Sequence, residues 1–393
     1  MIDSPLHYFH HLLRREISEL YWSSSIRQLA TTMMVIFTPI YFYKLNYTIQ
    51  QILWWFIVVY LIYTLTILLV AKIINYTGYE LAMTISVPIY ILFILALYLL
   101  PAYPSWFYLS ALFSGLYKSF YWPAYHADFA RFGSNKFRGE EIGFFTVITS
   151  LIEMLTPAVA GFILDWFSWE ILFLVSSIIF AFSVIPMLKT RERVYVGQLS
   201  IRRFFRKMLS TQWRRDFWPH FGSGEEIVAQ AIWPIFIFGI VDSYGLVGLL
   251  TTLSILASFA VFIYVGRLTD AESKTKMVKV TSWSVVTAWL VRTLAINWFL
   301  LFIADTIFKI SRKSLGIPVT GLIYNRPQSE DEILEYVCYK EFVLSISKVI
   351  LAFLCIVLFM ITAKLYLAFV LASLFTLFYL FWREDNQLIV NLK

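Results

Sequence analysis

Residues 304–313 read ADTIFKISRK, between the apolar INWFLLFI of 296–303 and the nearly uncharged SLGIPVTGLIY of 314–324. If these charges marked a loop, two short helices would flank it and the count of membrane crossings would change. At 100° per residue, Asp305, Lys309, Arg312 and Lys313 instead fall within roughly one third of a helix circumference, and Ile307, Ile310 and Leu315 spread over the remainder. The stretch is one polar stripe on a continuous helix, and the run from 298 to 324 stays whole.

Composition sets the solvent in which that helix sits. With 60% hydrophobic and 15% charged residues over 393 positions, the chain lies far outside the range of water-soluble domains and is a polytopic membrane protein. Trp and Tyr cluster at the ends of the apolar runs, where their rings favour the headgroup zone. Cys338 and Cys355 stand 17 apart, a spacing that suits neither a metal nor a disulfide, and they read as core residues. The N-terminal MIDSPLHYFHHLLRREISEL has charges where a signal sequence needs an unbroken apolar core. It predicts an interfacial helix over 1–21, capped at Ser4 and Pro5, with Leu6, Phe9, Leu13, Ile17 and Leu20 on one face. His7, His10 and His11 lie close together there, but no carboxylate or cysteine completes a site. No metal and no cofactor is expected.

A window of about 20 residues, enough to cross a bilayer, finds apolar runs at 22–43, 49–73, 79–101, 104–125, 141–165 and 168–188, then at 218–240, 244–266, 277–296, 298–324, 336–362 and 364–382. They give an all-α fold of twelve spans in two sets of six, 22–188 and 218–382, with a central loop at 189–217 and a tail at 383–393. Arg14, Arg15, Lys72, Arg131, Lys136, Arg138, Arg267, Lys274, Lys276, Lys279, Arg326, Arg383 and the bases of the central loop share one side, and only Lys44 and Lys364 lie opposite. The positive-inside rule makes that side cytoplasmic, termini included, in a multi-pass protein of the plasma membrane. The net charge of +7 is mostly this asymmetry and does not call for nucleic acid. In the central loop, Ile201, Phe204, Phe205, Met208 and Leu209 alternate with Arg202, Arg203, Arg206 and Lys207 as in a basic helix lying on anionic lipid.

The two sets repeat. A shift of 195 residues puts Pro39 on Pro234, AKIIN of 71–75 on GRLTD of 266–270, Glu140 on Glu335 and Glu153 on Lys348. A six-helix unit duplicated in parallel implies a pseudo-two-fold axis along the membrane normal and a cleft between halves. Six plus six helices around a basic loop, over essentially the whole chain, resemble the major facilitator superfamily. Its loop motif, Gly-x-x-x-Asp-Arg-x-Gly-Arg-Arg, keeps Gly266, Asp270 and a base at Lys274 in the second half; in the first half Gly78 remains, with Asn75 and Ala71 in place of Asp and Gly. The fifth span is similar to the family's through Arg138-Gly139, Pro157, Gly161 and Trp169, with TPAVAG at its core. The resemblance implies alternating access of the two halves, and a cavity lined by the first, fourth, seventh and tenth spans.

Charges at mid-bilayer are costly, of order 2.5 to 3.5 kcal/mol each on insertion scales, so those within spans should face water, solute or one another. Lys118 lies about 18 Å along the fourth span from Trp106, and Lys309 about 17 Å along the tenth from Trp298. Two lysines on opposing walls would attract an anion, with Arg312 adding a third charge and Tyr121, Trp122 and Trp233 offering rings to stack on. The alternative is that Lys309 pairs with Asp305 one turn away while Lys118 snorkels or meets a carbonyl. Glu225 and Glu226 in the seventh span could form an ion pair with Arg27 in the first, or sit at headgroup level. Glu153, about 18 Å into the fifth span, suits a proton carrier as well as a structural role. His126 and Asp128, at the cytoplasmic end of the fourth span, suit gating or capping. The expectation is a secondary transporter, acting as a monomer on a small solute such as an organic anion, with protons as a coupling ion. The competing readings are an exporter of amphiphilic compounds and a non-transporting scaffold or sensor. No catalytic set supports an enzyme.

Overall fold

The computed structural model describes residues 15–132, 138–189, 200–271, 273–324, 326 and 330–383, and every regular element among them is helical. Lipid offers no partner to backbone N–H and C=O groups, so a chain this apolar satisfies them within helices. In order, the helical stretches are the first span, Arg15–Val35 with Phe37–Lys44; the second, Ile49–Thr77; the third, Tyr79–Leu99; the fourth, Trp106–Phe132; the fifth, Arg138–Trp166; and the sixth, Trp169–Phe182 with the 3-10 turn Ile185–Lys189. After the short helix Ile201–Met208 come the seventh span, Thr211–Phe221 and Glu226–Val241 joined by the 3-10 turn Gly222–Glu225; the eighth, Tyr244–Ala271; the ninth, Lys274–Arg292; the tenth, Trp298–Tyr324; the eleventh, Glu330–Ile361; and the twelfth, Leu367–Thr376 with Leu377–Phe381. This order is consistent with twelve crossings. The expected interfacial helix falls largely outside the described residues.

Five described helices are long and apolar enough to cross a membrane by that measure alone: Ile49–Thr77, Tyr79–Leu99, Trp169–Met187, Trp213–Val241 and Glu332–Ile361. The tenth span is not among them because Asp305, Lys309, Arg312 and Lys313 interrupt its apolar run. The core is mostly apolar but also encloses charges, and large apolar side chains cover the outside. Arg27, Glu225, Arg292, Asp305 and Lys348 are buried, while Leu65, Leu69, Val159, Leu174 and Met360 face outward.

Local chemistry explains the breaks. The second span opens on a capping box, in which the Thr48 hydroxyl accepts from the Gln51 N–H and the Gln51 side chain accepts from the Thr48 N–H. Only Gly78, at φ 89°, separates the second and third spans, a left-handed position that a side chain would strain. In the first span Pro39 has no N–H for the carbonyl of Val35, and the helix breaks at Ile36. In the seventh, the turn at Gly222–Glu225 frees the Phe221 carbonyl, which accepts from the Ser347 hydroxyl of the eleventh. That span starts at Thr211, behind an N-cap at Ser210, and not at 218 as the apolar run suggested.

Packing repeats under a shift of six spans. The third lies on the fourth as the ninth lies on the tenth, the second on the fourth as the eighth on the tenth, and the first on the sixth as the seventh on the twelfth. Between halves, the fifth span packs on the eighth and the second on the eleventh, two contacts that the shift exchanges. The fifth–eighth contact is close because it is built on glycine: a Cβ at Gly161 would lie 2.4 Å from the Tyr244 carbonyl oxygen, and one at Gly248 would lie 2.2 Å from that of Pro157.

Both ends of the interface are tied. At the end away from the termini, Asp165 accepts from the backbone N–H of Tyr244 at 3.2 Å and of Gly245 at 2.8 Å, and Lys44 meets Asp242 at 3.5 Å. At the terminus-bearing end, His126 Nδ1 and the Tyr324 hydroxyl are 2.7 Å apart, and the Tyr63 hydroxyl donates to Glu341 at 3.1 Å. The helix Ile201–Met208 docks there: Phe204 is fully buried, Arg203 pairs with Glu335, and Lys207 reaches Glu332 at 2.9 Å and Glu335 at 2.8 Å. Desolvation works against the Lys207 ammonium, but its hydrogen bonds to Glu335 and Glu332 outweigh it and raise its pKa above the ordinary lysine value. Arg203 and Lys207 thus turn toward the eleventh span and leave Arg202 and Arg206 exposed.

Candidate solute cavity

Between the tied ends lies a cavity of about 390 Å³, walled by both halves. From the first half come Arg27 and Gln28 of the first span, Tyr90 and Phe93 of the third, and Tyr117, Lys118, Tyr121 and Trp122 of the fourth; from the second come Gln230, Thr251 and Lys309. Lys118 and Lys309 therefore share one chamber. Glycine makes room for the fourth span: a Cβ on Gly115 would meet Ile62 and the Val59 carbonyl oxygen of the second span at 2.8 Å.

Each cation is held differently. Arg27 donates to Ser86 Oγ at 2.6 Å and to the Met83 carbonyl at 2.7 Å, and its guanidinium lies 4.8 Å from the centre of the Tyr121 ring and 5.2 Å from that of Phe180. Neutral acceptors and ring faces offset part of its desolvation without cancelling its charge. Lys118 Nζ stands 5.4 Å from the centre of the Tyr60 ring, with no carboxylate in salt-bridge range among the described residues. Lys309 Nζ is 2.5 Å from Asp305 Oδ2 and donates to the Thr251 carbonyl at 2.9 Å. Asp305 is shared: its Oδ1 accepts from Arg292 at 2.8 Å and from Trp233 Nε1 at 2.9 Å. The Arg292 guanidinium is stacked 3.9 Å from the centre of the Trp233 ring and 3.5 Å from that of Phe308. Among the described residues, Arg27, Lys118, Lys309 and Arg292 thus stand at or just behind the wall, with Asp305 as the carboxylate that pairs with two of them.

A second network lies nearer the terminus-bearing end. Glu225 accepts from Trp289 Nε1 at 2.8 Å and meets Arg312 Nε at 2.8 Å; Arg312 also binds Glu226, whose other oxygen is 2.7 Å from Lys348 Nζ. Lys348 donates to the Tyr60 hydroxyl at 3.2 Å, and that hydroxyl donates to Gln230 Oε1 at 2.8 Å. The network is neutral, and it borders a separate cavity of about 410 Å³ lined by Glu226, Gln230, Arg312, Lys313 and neighbours.

Of the residues singled out from the sequence, Lys118, Lys309, Arg27, Tyr121 and Trp122 meet at the first cavity. Trp233 does not line it and stands behind, on Asp305. Arg312 belongs with Glu225 and Glu226, so those carboxylates pair with it and not with Arg27. Lys274 Nζ lies 3.3 Å from the position a Cβ on Gly321 would take, at the terminus-side end of the tenth span. The side chains of Glu153 and Asp270, and the surroundings of Gly266, lie outside the described residues. His126 joins the tie between halves, 3.6 Å from Glu341 and 3.3 Å from Lys340. Tyr60 and Gln230 are additions from the structure, and Arg292 and Lys348, charges that fall within spans, gain their partners from it. Tyr60 and Gln230, neutral residues in apolar spans, gave no signal in the sequence.

A family profile described as Major Facilitator Superfamily matches residues 20–241. Among solved structures, the E. coli fucose:proton symporter FucP is 12% identical, with 93% of this chain and 97% of that chain covered at a TM-score of 0.66. The human organic anion transporter MFSD10 is 13% identical, with 94% of this chain and 99% of that chain covered at a TM-score of 0.68. Compared by sequence, no curated protein matches the chain.

Proposed function

The chain belongs to the major facilitator superfamily, a family of membrane transporters, and from that premise we propose that it carries a small organic anion through the first cavity by alternating access of its two halves. One observation supports the charge of the solute: Arg27, Lys118 and Lys309 all line the cavity, no carboxylate is among its lining residues, and Asp305, beside Lys309, is shared with Arg292. An anion there would meet uncompensated positive charge in a medium where charges interact strongly. The wall of Tyr90, Phe93, Tyr117, Tyr121 and Trp122 favours an apolar or aromatic body beside the charged group. The structural neighbours include a fucose:proton symporter and an organic anion transporter, so the fold serves both kinds of solute and the cavity's charges favour the second.

Binding of candidate anions to the purified protein tests this reading. Lys118→Gln and Lys309→Gln should each weaken binding by about one to two decades, the worth of a charge-assisted contact of roughly 1.5 to 3 kcal/mol. The double variant should lose less than the sum, because both cations act on one ligand group. Unchanged affinity in both folded single variants would show that the charges serve only the protein's own ion pairs. The same reading orients the termini toward the cytoplasm, on the strength of the basic-residue asymmetry, and couples transport to protons through Glu153. Glu153→Gln should then abolish gradient-driven accumulation in proteoliposomes and leave solute exchange intact; persistent accumulation would remove Glu153 from coupling.

A further inference from the structure

Gln230 of the seventh span is half-buried, and it lines both the solute cavity and the second cavity of about 410 Å³. It thus stands between the cation-bearing chamber and the ion pair of Glu226 and Lys348. Its carboxamide is bound across the interface between halves. The Tyr60 hydroxyl of the second span lies 2.8 Å from Gln230 Oε1, and Lys348 Nζ of the eleventh lies 3.2 Å from that hydroxyl and 2.7 Å from Glu226 Oε2. Tyr60 and Lys348 are 2% and 4% exposed, so a misdirected proton there would carry the full cost of a buried, unpaired donor.

The ammonium fixes which way the amide faces. It has donors and no acceptor, so the Tyr60 oxygen must accept from Lys348. A phenol carries one proton, and that proton is left for Gln230, which can receive it only at its carboxamide oxygen. A flipped amide would aim an N–H at an oxygen that already accepts from Lys348, and the Tyr60 proton would face another donor. With its oxygen engaged, Gln230 has two N–H donors to offer the cavity. Tyr60 brings a cation to the same wall, since Lys118 Nζ stands 5.4 Å from the centre of its ring. We infer that Gln230 is a specificity-determining residue of the solute cavity: its amide donates to an acceptor oxygen of the solute, and Glu226, Lys348 and Tyr60 are positioning residues that hold it as a donor. This role rests on the organic-anion reading proposed above and sharpens it, because the solute must present a lone pair, and not an N–H or O–H, to this wall. A site arranged to donate rejects an analogue that leaves its donor unpaired.

Benzoate and benzamide share a ring, and in the second an N–H donor replaces one carboxylate oxygen; calorimetric titration of the full chain with each is the test. The parent should bind benzoate, and Gln230→Met, close in shape but without donors, should bind it about tenfold more weakly. Tyr60→Phe keeps the ring beside Lys118 and Lys348 and removes the hydroxyl, which frees the amide to turn its oxygen to the cavity. The ratio of benzoate to benzamide affinity should then fall about tenfold, whereas a loosened fold would weaken both and leave the ratio unmoved. An unchanged ratio in Tyr60→Phe, or unchanged benzoate affinity in Gln230→Met, would overturn the role of Gln230. Should Gln230→Met fail to fold, Gln230→Glu keeps acceptors for Tyr60 and takes away the donors, and undiminished benzoate affinity there would overturn it equally. Lys118→Gln separates the two readings. Binding that depends on Lys118 but not on Gln230 would leave the anion reading standing and remove Gln230 from recognition, and no binding of benzoate by the parent would sink both.

Discussion

Asp305 serves two cations, and the structure makes it more than the helical neighbour of Lys309. Removing its charge leaves Arg292, 1% exposed at its side chain, stacked among rings with no carboxylate in salt-bridge range among the described residues. Breaking a buried pair from one side typically costs about 3 to 5 kcal/mol. Asp305→Asn should therefore destabilise the protein by an amount in that range, whereas Lys309→Gln leaves Asp305 paired with Arg292 and Trp233 and should cost about 1 kcal/mol. Thermal unfolding in neutral detergent compares them, and equal midpoints would mean that Arg292 does not depend on Asp305. At this scale the sequence was informative about Lys118, Asp305 and Lys309, because depth and helical spacing follow from counting. It was silent on Arg292 as the second partner, which comes from the preceding span, and on the Tyr60–Gln230 bond, which joins residues 170 apart. Arg27 was legible as an intramembrane charge, but its partners Ser86 and Met83 are small and apolar residues of the third span with no charge to betray them.

Among the elements, the fifth and eighth spans approach closely enough that backbone meets backbone. Helices in lipid gain from such packing because small residues let their surfaces interlock. A valine at Gly248 would drive its Cβ against the Pro157 carbonyl, where no side chain can rotate away. Gly248→Val should lower stability by about 1 to 3 kcal/mol, the usual cost of overpacking, and Gly239→Ala, with nothing within 4 Å of its would-be Cβ, should be neutral or mildly stabilising. Melting of the two variants side by side checks this, and a Gly248→Val protein as stable as the parent would mean that the spans are free to separate. Element positions were legible from apolar runs, since lipid imposes them. The start of the seventh span was not: Trp213, Arg214, Arg215 and Asp216 read as loop because the partners of Asp216, Arg326 and Tyr336, lie more than a hundred residues away. The central helix was recognised as amphipathic, but two of its bases are answered by Glu332 and Glu335 instead of by lipid.

For the whole molecule, the shift of six spans maps nearly every major helix contact onto another, which is what a rocking pair of equivalent halves requires. The duplication was faint in sequence, carried by Pro39 and Pro234 and a few charges, because packing constrains the size and approach of side chains more than their identity. The cations among the described residues around the first cavity have a further consequence, because they sit within the membrane's electric field. A charge that changes its connection from one aqueous side to the other exchanges about 2.3 kcal/mol with a potential of 100 mV. In the empty state, a negative cytoplasmic potential should favour continuity of the cavity with the cytoplasm; a bound anion cancels part of the charge and weakens that preference. A cysteine in place of Thr31, which lines the cavity, should then be labelled faster from the terminus-bearing side when that side of a proteoliposome is made negative, and solute should reduce the effect. An absent response would mean that the cavity charges are neutralised in the membrane. The carrier would otherwise be a voltage-biased device whose idle conformation is set by the cell's polarisation and released by its own cargo.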